Sequence, residues 1–195
     1  HRFFSFLPLN HIAERIIVEC ACMATGGSIS FSESINTFAQ NLQSTQPTIF
    51  LAVPRIWSKF QLAILERLPE KRLNLLLAIP LLGAFLKKKI IQGLGLSKAR
   101  VLLTGAAPTP DSVKAFFKKL GLAVQEVYAM TENAGGCTLM PRADIRPGTV
   151  GKPMANVEIR IDPQTQEVIM RAPWVMAGYY NDPERSAQVI QDGWL

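Results

Sequence analysis

Three short runs in this 195-residue chain carry residue types suited to ring and phosphate chemistry. In Val127-Tyr128-Ala129-Met130-Thr131-Glu132-Asn133, an aromatic ring, a hydroxyl and a carboxylate follow one another closely. A tyrosine ring stacks on a planar base, a threonine hydroxyl donates to a phosphate oxygen, and a glutamate holds Mg²⁺. The same residues also fit a helix cap followed by a solvated glutamate. The second run, Leu103-Thr104-Gly105-Ala106-Ala107-Pro108, ends an apolar stretch in small residues. Backbone so poor in side chains lets a ring or a phosphate approach closely. A tight turn ahead of Pro110 accounts for it equally well. The third run, Pro147-Gly148-Thr149-Val150-Gly151-Lys152-Pro153, reads as loop punctuation when taken alone.

The elements around these runs place them at strand ends. Thr48 to Val53 is β-branched and apolar, as strands buried on both faces are, and Ala99 to Thr104 is another buried strand. Ala123 to Tyr128 is a further strand, and Phe3 to Leu9 and Ser28 to Phe31 are shorter candidates. Helical periodicity runs from Ile12 to Ala24 and stops at Gly26-Gly27. Further helices are predicted from Ser32 or Glu33 to about Gln43, from Pro54 to about Leu68, and from Pro110-Asp111 to Leu120. Strand and helix alternate with short connections, which predicts an α/β fold with a mostly parallel sheet flanked by helices. In such sheets ligands bind beyond the carboxyl ends of the strands, where the first two runs fall. After about Pro141 the texture changes. Val157 to Ile161 alternates with period two, Asp162 to Gln166 is a turn, and Val168 to Arg171 returns. Two pieces follow: residues 1–145, α/β, and residues 146–195, the start of a β-rich subdomain.

Composition excludes several classes. A hydrophobic fraction of 48% supports a buried core, so a disordered chain is excluded. The net charge is +6, and the first hundred residues hold all of the excess, with 12 basic against 5 acidic side chains. No basic run is interleaved with aromatics, which argues against nucleic acid and leaves a phosphate-bearing ligand or an anionic surface. Cys20, Cys22 and Cys137 make neither a disulfide framework nor a zinc site. Leu73 to Leu86, followed by Lys87-Lys88-Lys89, is too short to span a bilayer and is broken by Pro80 and Gly83. It reads as a helix pair packed in or on the protein, with surface membrane contact as the alternative.

In this order and at these spacings the runs resemble the adenylate-forming superfamily of acyl-CoA synthetases, luciferases and peptide-synthetase adenylation domains. Gly105-Ala106-Ala107-Pro108 is similar to its adenine loop, Tyr128 to Glu132 to its Tyr-Gly-x-Thr-Glu motif, and Gly148 to Pro153 to its Gly-x-x-Gly-x-Pro segment. Gly178-Tyr179-Tyr180-Asn181-Asp182 and Asp192-Gly193-Trp194 are similar to the run ahead of the Thr-Gly-Asp motif. Leu7-Pro8-Leu9-Asn10-His11 and Val53-Pro54-Arg55-Ile56-Trp57 resemble the long-chain fatty acyl-CoA synthetase branch.

The resemblance implies a ligase that joins a long-chain fatty acid to CoA through an acyl-AMP, using ATP and Mg²⁺. It implies that Tyr128 stacks on adenine, with Gly105, Ala106, Ala107 and Pro108 against the other face. Glu126 would meet the adenine edge, and Val127, Ala129 and Met130 would complete the nucleotide segment. Thr131 would bind the α-phosphate, Glu132 the metal, and His11 would lie near the acyl carboxylate. Trp57 and Trp174 read as packing residues. A cytoplasmic enzyme is expected, with peripheral membrane contact and a homodimer of the full-length protein left open.

The chain departs from the pattern in places. Ala129 stands where the motif has Gly, and Arg15 stands where some members carry a Trp gate. The Gly-rich pyrophosphate loop, the ribose-binding Asp motif and the small domain with the adenylation lysine are not in these residues. They are therefore expected to be a central fragment of the adenylation domain, inactive alone. The alternatives are a fatty acyl-AMP ligase, an aryl-acid ligase, or a non-catalytic nucleotide-binding module.

Overall fold

A computed structural model describes all 195 residues. The apolar runs pair as their patterns predict. β3 (Ile49–Ala52), β4 (Val101–Thr104) and β5 (Val124–Tyr128) run parallel in that order, with Ala52 opposite Thr104 and Thr104 opposite Glu126. β1 (Arg2–Ser5) and β2 (Ser28–Phe31) form a parallel pair. β1 lies beside the start of β3, where the Thr48 N–H donates to the Arg2 carbonyl at 2.9 Å. Two short antiparallel strands missing from the sequence reading, β6 (Thr138–Leu139) and β7 (Lys152–Pro153), extend the far edge beyond β5. Two-residue strands carry no readable period. β7 lies past residue 145 yet closes the first sheet, so the α/β and β-rich pieces share a hydrogen-bonded edge. β8 (Glu158–Ile161) and β9 (Val168–Arg171) form the expected hairpin.

Helices cover the sheet. The segment from Ile12 is wound wide, as a π-helix over Glu14–Cys20, and continues as α1 (Ala21–Thr25), with Gly26 left-handed at its end. α2 (Phe38–Thr45) begins later than expected. Ser34 and Thr37 bond to each other's backbone and hydroxyl groups, and Asn41 accepts from the Glu33 N–H. Such local side-chain bonds offer the backbone an alternative to helix. α3 (Pro54–Arg67) starts at its proline, and α4 (Glu70–Ala78) and α5 (Pro80–Gly93) form a hairpin. α6 (Asp111–Lys119) crosses back between β4 and β5, and α7 (Pro183–Val189) is short. No helix is long and apolar enough to cross a membrane.

The main core lies between β3–β5 and α2–α6. At its centre is Trp57, fully buried, edge-on to Phe117 at 5.1 Å and to Phe50 at 5.7 Å, with its indole N–H donating to the Leu103 carbonyl at 3.3 Å. Trp57 is thus a packing residue, and it secures the strand that leads into the Gly105 loop. All three cysteines are free thiols.

Candidate functional site

The parallel register sets the Gly105 loop beside the strand carrying Tyr128. Gly105 is buried against Val127: a Cβ there would lie 2.7 Å from Val127 Cγ2 and 2.9 Å from its carbonyl oxygen. Only a residue without a side chain lets β4 leave the sheet this close to β5. Ala106 follows with a left-handed φ of 67°, and Ala106, Ala107 and Pro108 are exposed. The loop therefore offers bare backbone and methyl groups beside the half-buried Tyr128. That is a surface a planar ring fits.

Beneath the loop lies a buried polar network. Glu126 accepts from the Thr109 N–H at 2.9 Å through Oε1 and from the Lys114 ammonium through Oε2. Lys114 also bonds Asp111 Oδ1 at 3.0 Å, and the Asp111 carboxylate accepts from the Gly148 N–H at 3.3 Å. Thr104 and Thr109 share a hydroxyl hydrogen bond of 2.7 Å. Burial alone would lower the Lys114 ammonium, but its bonds to Glu126 and Asp111 outweigh this and hold it above the ordinary lysine range. The sequence reading sets Glu126 at the adenine edge. In the structure its carboxylate is engaged by the Thr109 N–H and the Lys114 ammonium, which ties α6 to β5.

The chain beyond Tyr128 turns sharply. Val127, Ala129 and Met130 are half-buried, and Thr131–Asn133 forms one tight helical turn. Buried Asn133 shapes it, accepting from the Met130 N–H at 2.9 Å. Thr131 is exposed, and its hydroxyl makes no hydrogen bond. Glu132 Oε1 accepts from the Tyr179 hydroxyl at 2.8 Å, while its other oxygen has no protein partner. Bonding to Glu132 raises the Tyr179 phenol above its ordinary range. The Glu132 carbonyl accepts from the Met176 N–H at 2.8 Å. No group of three or more His, Cys, Asp or Glu side chains converges anywhere. A metal at Glu132 would therefore take one carboxylate and otherwise depend on phosphate oxygens and water, which suits Mg²⁺.

His11 stands at the start of the wide helix. Its Nδ1 accepts from the Ala13 N–H at 3.2 Å, which leaves the ring proton on Nε2. The same helix packs on the turn: a Cβ on Gly135 would lie 3.6 Å from Ile12 and 3.7 Å from Ile16. Arg15 is exposed and paired with Glu19 at 2.8 Å.

A cleft of about 700 Å³ opens beside the turn. Tyr128, Met130 and Glu132 line it from one side, and Arg160, Met170 and Tyr179 from the other. His11, Thr131 and the Gly105–Pro108 loop do not line it. The Gly148–Pro153 segment is structural. A Cβ on left-handed Gly151 would fall 2.3 Å from Met140 N, so β7 docks on β6 only with glycine there. Trp174 is likewise a packing residue, donating to the Gly136 carbonyl at 2.9 Å.

Four further residues had no role assigned from the sequence: Lys114 and Glu14, which were not singled out, and Asn133 and Tyr179, which stood in the quoted runs. Lys114 and Glu14 had a signal. Lys114 falls within the apolar arc of Val113, Phe116 and Phe117. Glu14 heads the buried row Val18 and Cys22 at spacing four. Glu14 is 1% exposed, and its Oε1 has no partner. Burial pushes its carboxyl up, against the lowering effect of Ser5 and the Leu7 backbone.

Comparison with known proteins bears on the family and the fold. The model of the AMP-binding enzyme family matches residues 1–180. A probable CoA ligase of Humulus lupulus is 30% identical over 99% of this chain and 34% of its own length. A putative fatty-acid–CoA ligase of Mycobacterium tuberculosis is 32% identical over 100% and 39%. Long-chain-fatty-acid–CoA ligase 5 of Mus musculus is 30% identical over 98% and 32%. The chain thus spans about a third of the length of these relatives. Among solved structures, an anthranilate CoA ligase bound to anthranoyl-AMP superposes with a TM-score of 0.76 at 20% identity, over all of this chain and 35% of the other. The o-succinylbenzoate CoA synthetase of Bacillus subtilis with ATP and magnesium gives 0.72 at 21%, over all of this chain and 37% of the other. The chain belongs to the AMP-binding enzyme family.

Proposed function

We propose that the full-length protein is a long-chain fatty acid–CoA ligase and that this chain carries its nucleotide-facing centre. The observation behind the reading is the parallel pairing of β4 and β5, which brings the side-chain-poor Gly105–Pro108 loop and the Tyr128–Glu132 turn to neighbouring strand ends. In the first half-reaction the fatty carboxylate attacks the α-phosphorus of ATP, and the bond to pyrophosphate breaks. In the second, the CoA thiol attacks the acyl carbonyl, loses its proton and displaces AMP.

Each residue has a defined task in this reading. Tyr128 and the Gly105–Ala107 backbone hold the adenine between them. The unengaged Thr131 hydroxyl donates to an α-phosphate oxygen. The His11 Nε2–H donates toward the reacting carboxylate. Glu132 presents its free oxygen to Mg²⁺, and the Tyr179 hydroxyl fixes the other. The metal supplies neutralisation of phosphate charge when bound. The 195 residues alone are proposed to be inactive, since they span only about a third of the related ligases.

The test is pyrophosphate release by the full-length protein, with ATP, Mg²⁺ and fatty acids of graded length, with and without CoA. Release should require a long-chain acid and CoA, and Glu132→Gln should lower it by about a hundredfold or more. A preference for aromatic acids, or release indifferent to CoA, would favour an aryl-acid or acyl-AMP ligase. No release with any acid from a folded protein would overturn the ligase reading.

A further inference from the structure

The α4–α5 hairpin takes no part in the site above, and its two faces differ sharply. One face is anchored. Leu73 is buried in the main core, and Leu77, Leu86, Ile90 and Ile91 pack against it. The helices meet tightly at Gly83, where a Cβ would lie 2.6 Å from the Leu77 carbonyl oxygen. The other face is apolar and bare. Leu81 is 88% exposed, Leu75 68% and Phe85 59%, and Ile79 and Leu82 are also exposed. These residues flank the bend where Pro80 starts the second helix.

Five cations lie on the same two helices. Lys71 and Arg72 lie on α4, and Lys87, Lys88 and Lys89 on α5; none of the five is in an ion pair. Lys89 lies along Phe85, its ammonium 5.7 Å from the ring centroid. The hairpin's one carboxylate, Glu70, is already paired with Lys119. We propose that the apex of the α4–α5 hairpin docks the protein on an anionic lipid surface, with Leu75, Ile79, Leu81, Leu82 and Phe85 entering the headgroup boundary and the five cations meeting lipid phosphates.

Charge selects this occupant over the others. An exposed apolar bend flanked by unpaired cations complements a negatively charged bilayer. A second copy in a two-fold contact would bring the same net positive charge against this face. The inference does not depend on the ligase reading, because its test reads binding and not turnover.

The test is co-sedimentation of the protein with phosphatidylcholine vesicles, with and without phosphatidylglycerol. Binding should need the anionic lipid and weaken with salt. The triple change Lys87→Gln, Lys88→Gln, Lys89→Gln should lower partitioning by roughly tenfold or more. Leu81→Ser with Phe85→Ser should lower it comparably at unchanged charge. Lys98→Gln, off the hairpin, should leave it intact. Leu81, Phe85, Lys88, Lys89 and Lys98 face solvent and Lys87 is half-buried, and matching thermal melts confirm the fold; should the apolar variant melt early, the lysine variant decides. No binding to anionic vesicles, or equal binding by the lysine variant, would overturn the proposal. So would a dimer in sedimentation that dissolves in the Leu81→Ser, Phe85→Ser variant, since a second copy would then cover the face.

Discussion

Glu126 and Glu132 lie six residues apart on one strand and the turn that follows it, and the fold treats them oppositely. Glu126 is buried, and both its oxygens are engaged, by the Lys114 ammonium and the Thr109 N–H. Glu132 is only half-buried, with one oxygen held by Tyr179 and the other open to the cleft. A charged carboxylate in a dry interior costs several kcal/mol when its partners are missing, a cost that Glu126 avoids through both oxygens. A carboxylate that takes a ligand must keep a site open. The first glutamate thus ties Thr109 and α6 to β5, and the second keeps the free oxygen that the proposed metal role needs.

The largest effect should come from breaking the engaged pair. Lys114→Met leaves Glu126 buried without its cation and should destabilise the protein by about 3–5 kcal/mol. Adding Glu126→Met should recover most of that loss in a denaturant titration, because the pair is then replaced by apolar volume. If the double variant stays as unstable as the single one, Glu126 is not satisfied chiefly by Lys114, and the contrast between the two glutamates weakens. A smaller effect is expected from Gly105→Ala, whose methyl would strike Val127; overpacking of this kind costs about 1–3 kcal/mol. The cost should fall on nucleotide binding as well as on thermal stability, since β4 would have to move away from β5.

The fold was legible because its period signals are long. Ile49–Val53 and Val101–Leu103 are apolar throughout, and a strand covered on both faces tolerates that. Their helices start at Pro54 and near Pro110, which fix the first turn. The order of motifs also placed Tyr128, Thr131 and Glu132 on one connection at a strand end. The α2 boundary was not legible, because hydroxyl-to-backbone bonds at Ser34 and Thr37 outcompete the helix, and their strength depends on a local geometry that spacing does not carry. Nor was the pairing of Glu126 with Lys114, or of Glu132 with Tyr179. Those partners lie 12 and 47 residues apart, and only the folded register brings them together.

Glu14 sharpens the comparison, being buried like Glu126 but without a cation. Its charged form is penalised by burial, so its folded pKa is raised above that of the unfolded chain. A raised carboxyl supports the fold only below the unfolded pKa, and that support is lost as pH rises through the folded value. At neutral pH Glu14→Gln should therefore stabilise the protein, by roughly 1 kcal/mol, because the neutral amide carries no charge for burial to penalise. Below about pH 4, where the unfolded carboxyl is also protonated, the advantage should vanish. Thermal melts of both proteins across that range measure this directly. A variant that gains stability but loses pyrophosphate release would mean that the strained carboxylate, one turn from His11 in the wide helix, is kept for the site. A variant that loses stability at neutral pH would mean that Glu14 is satisfied in solution and belongs with Glu126.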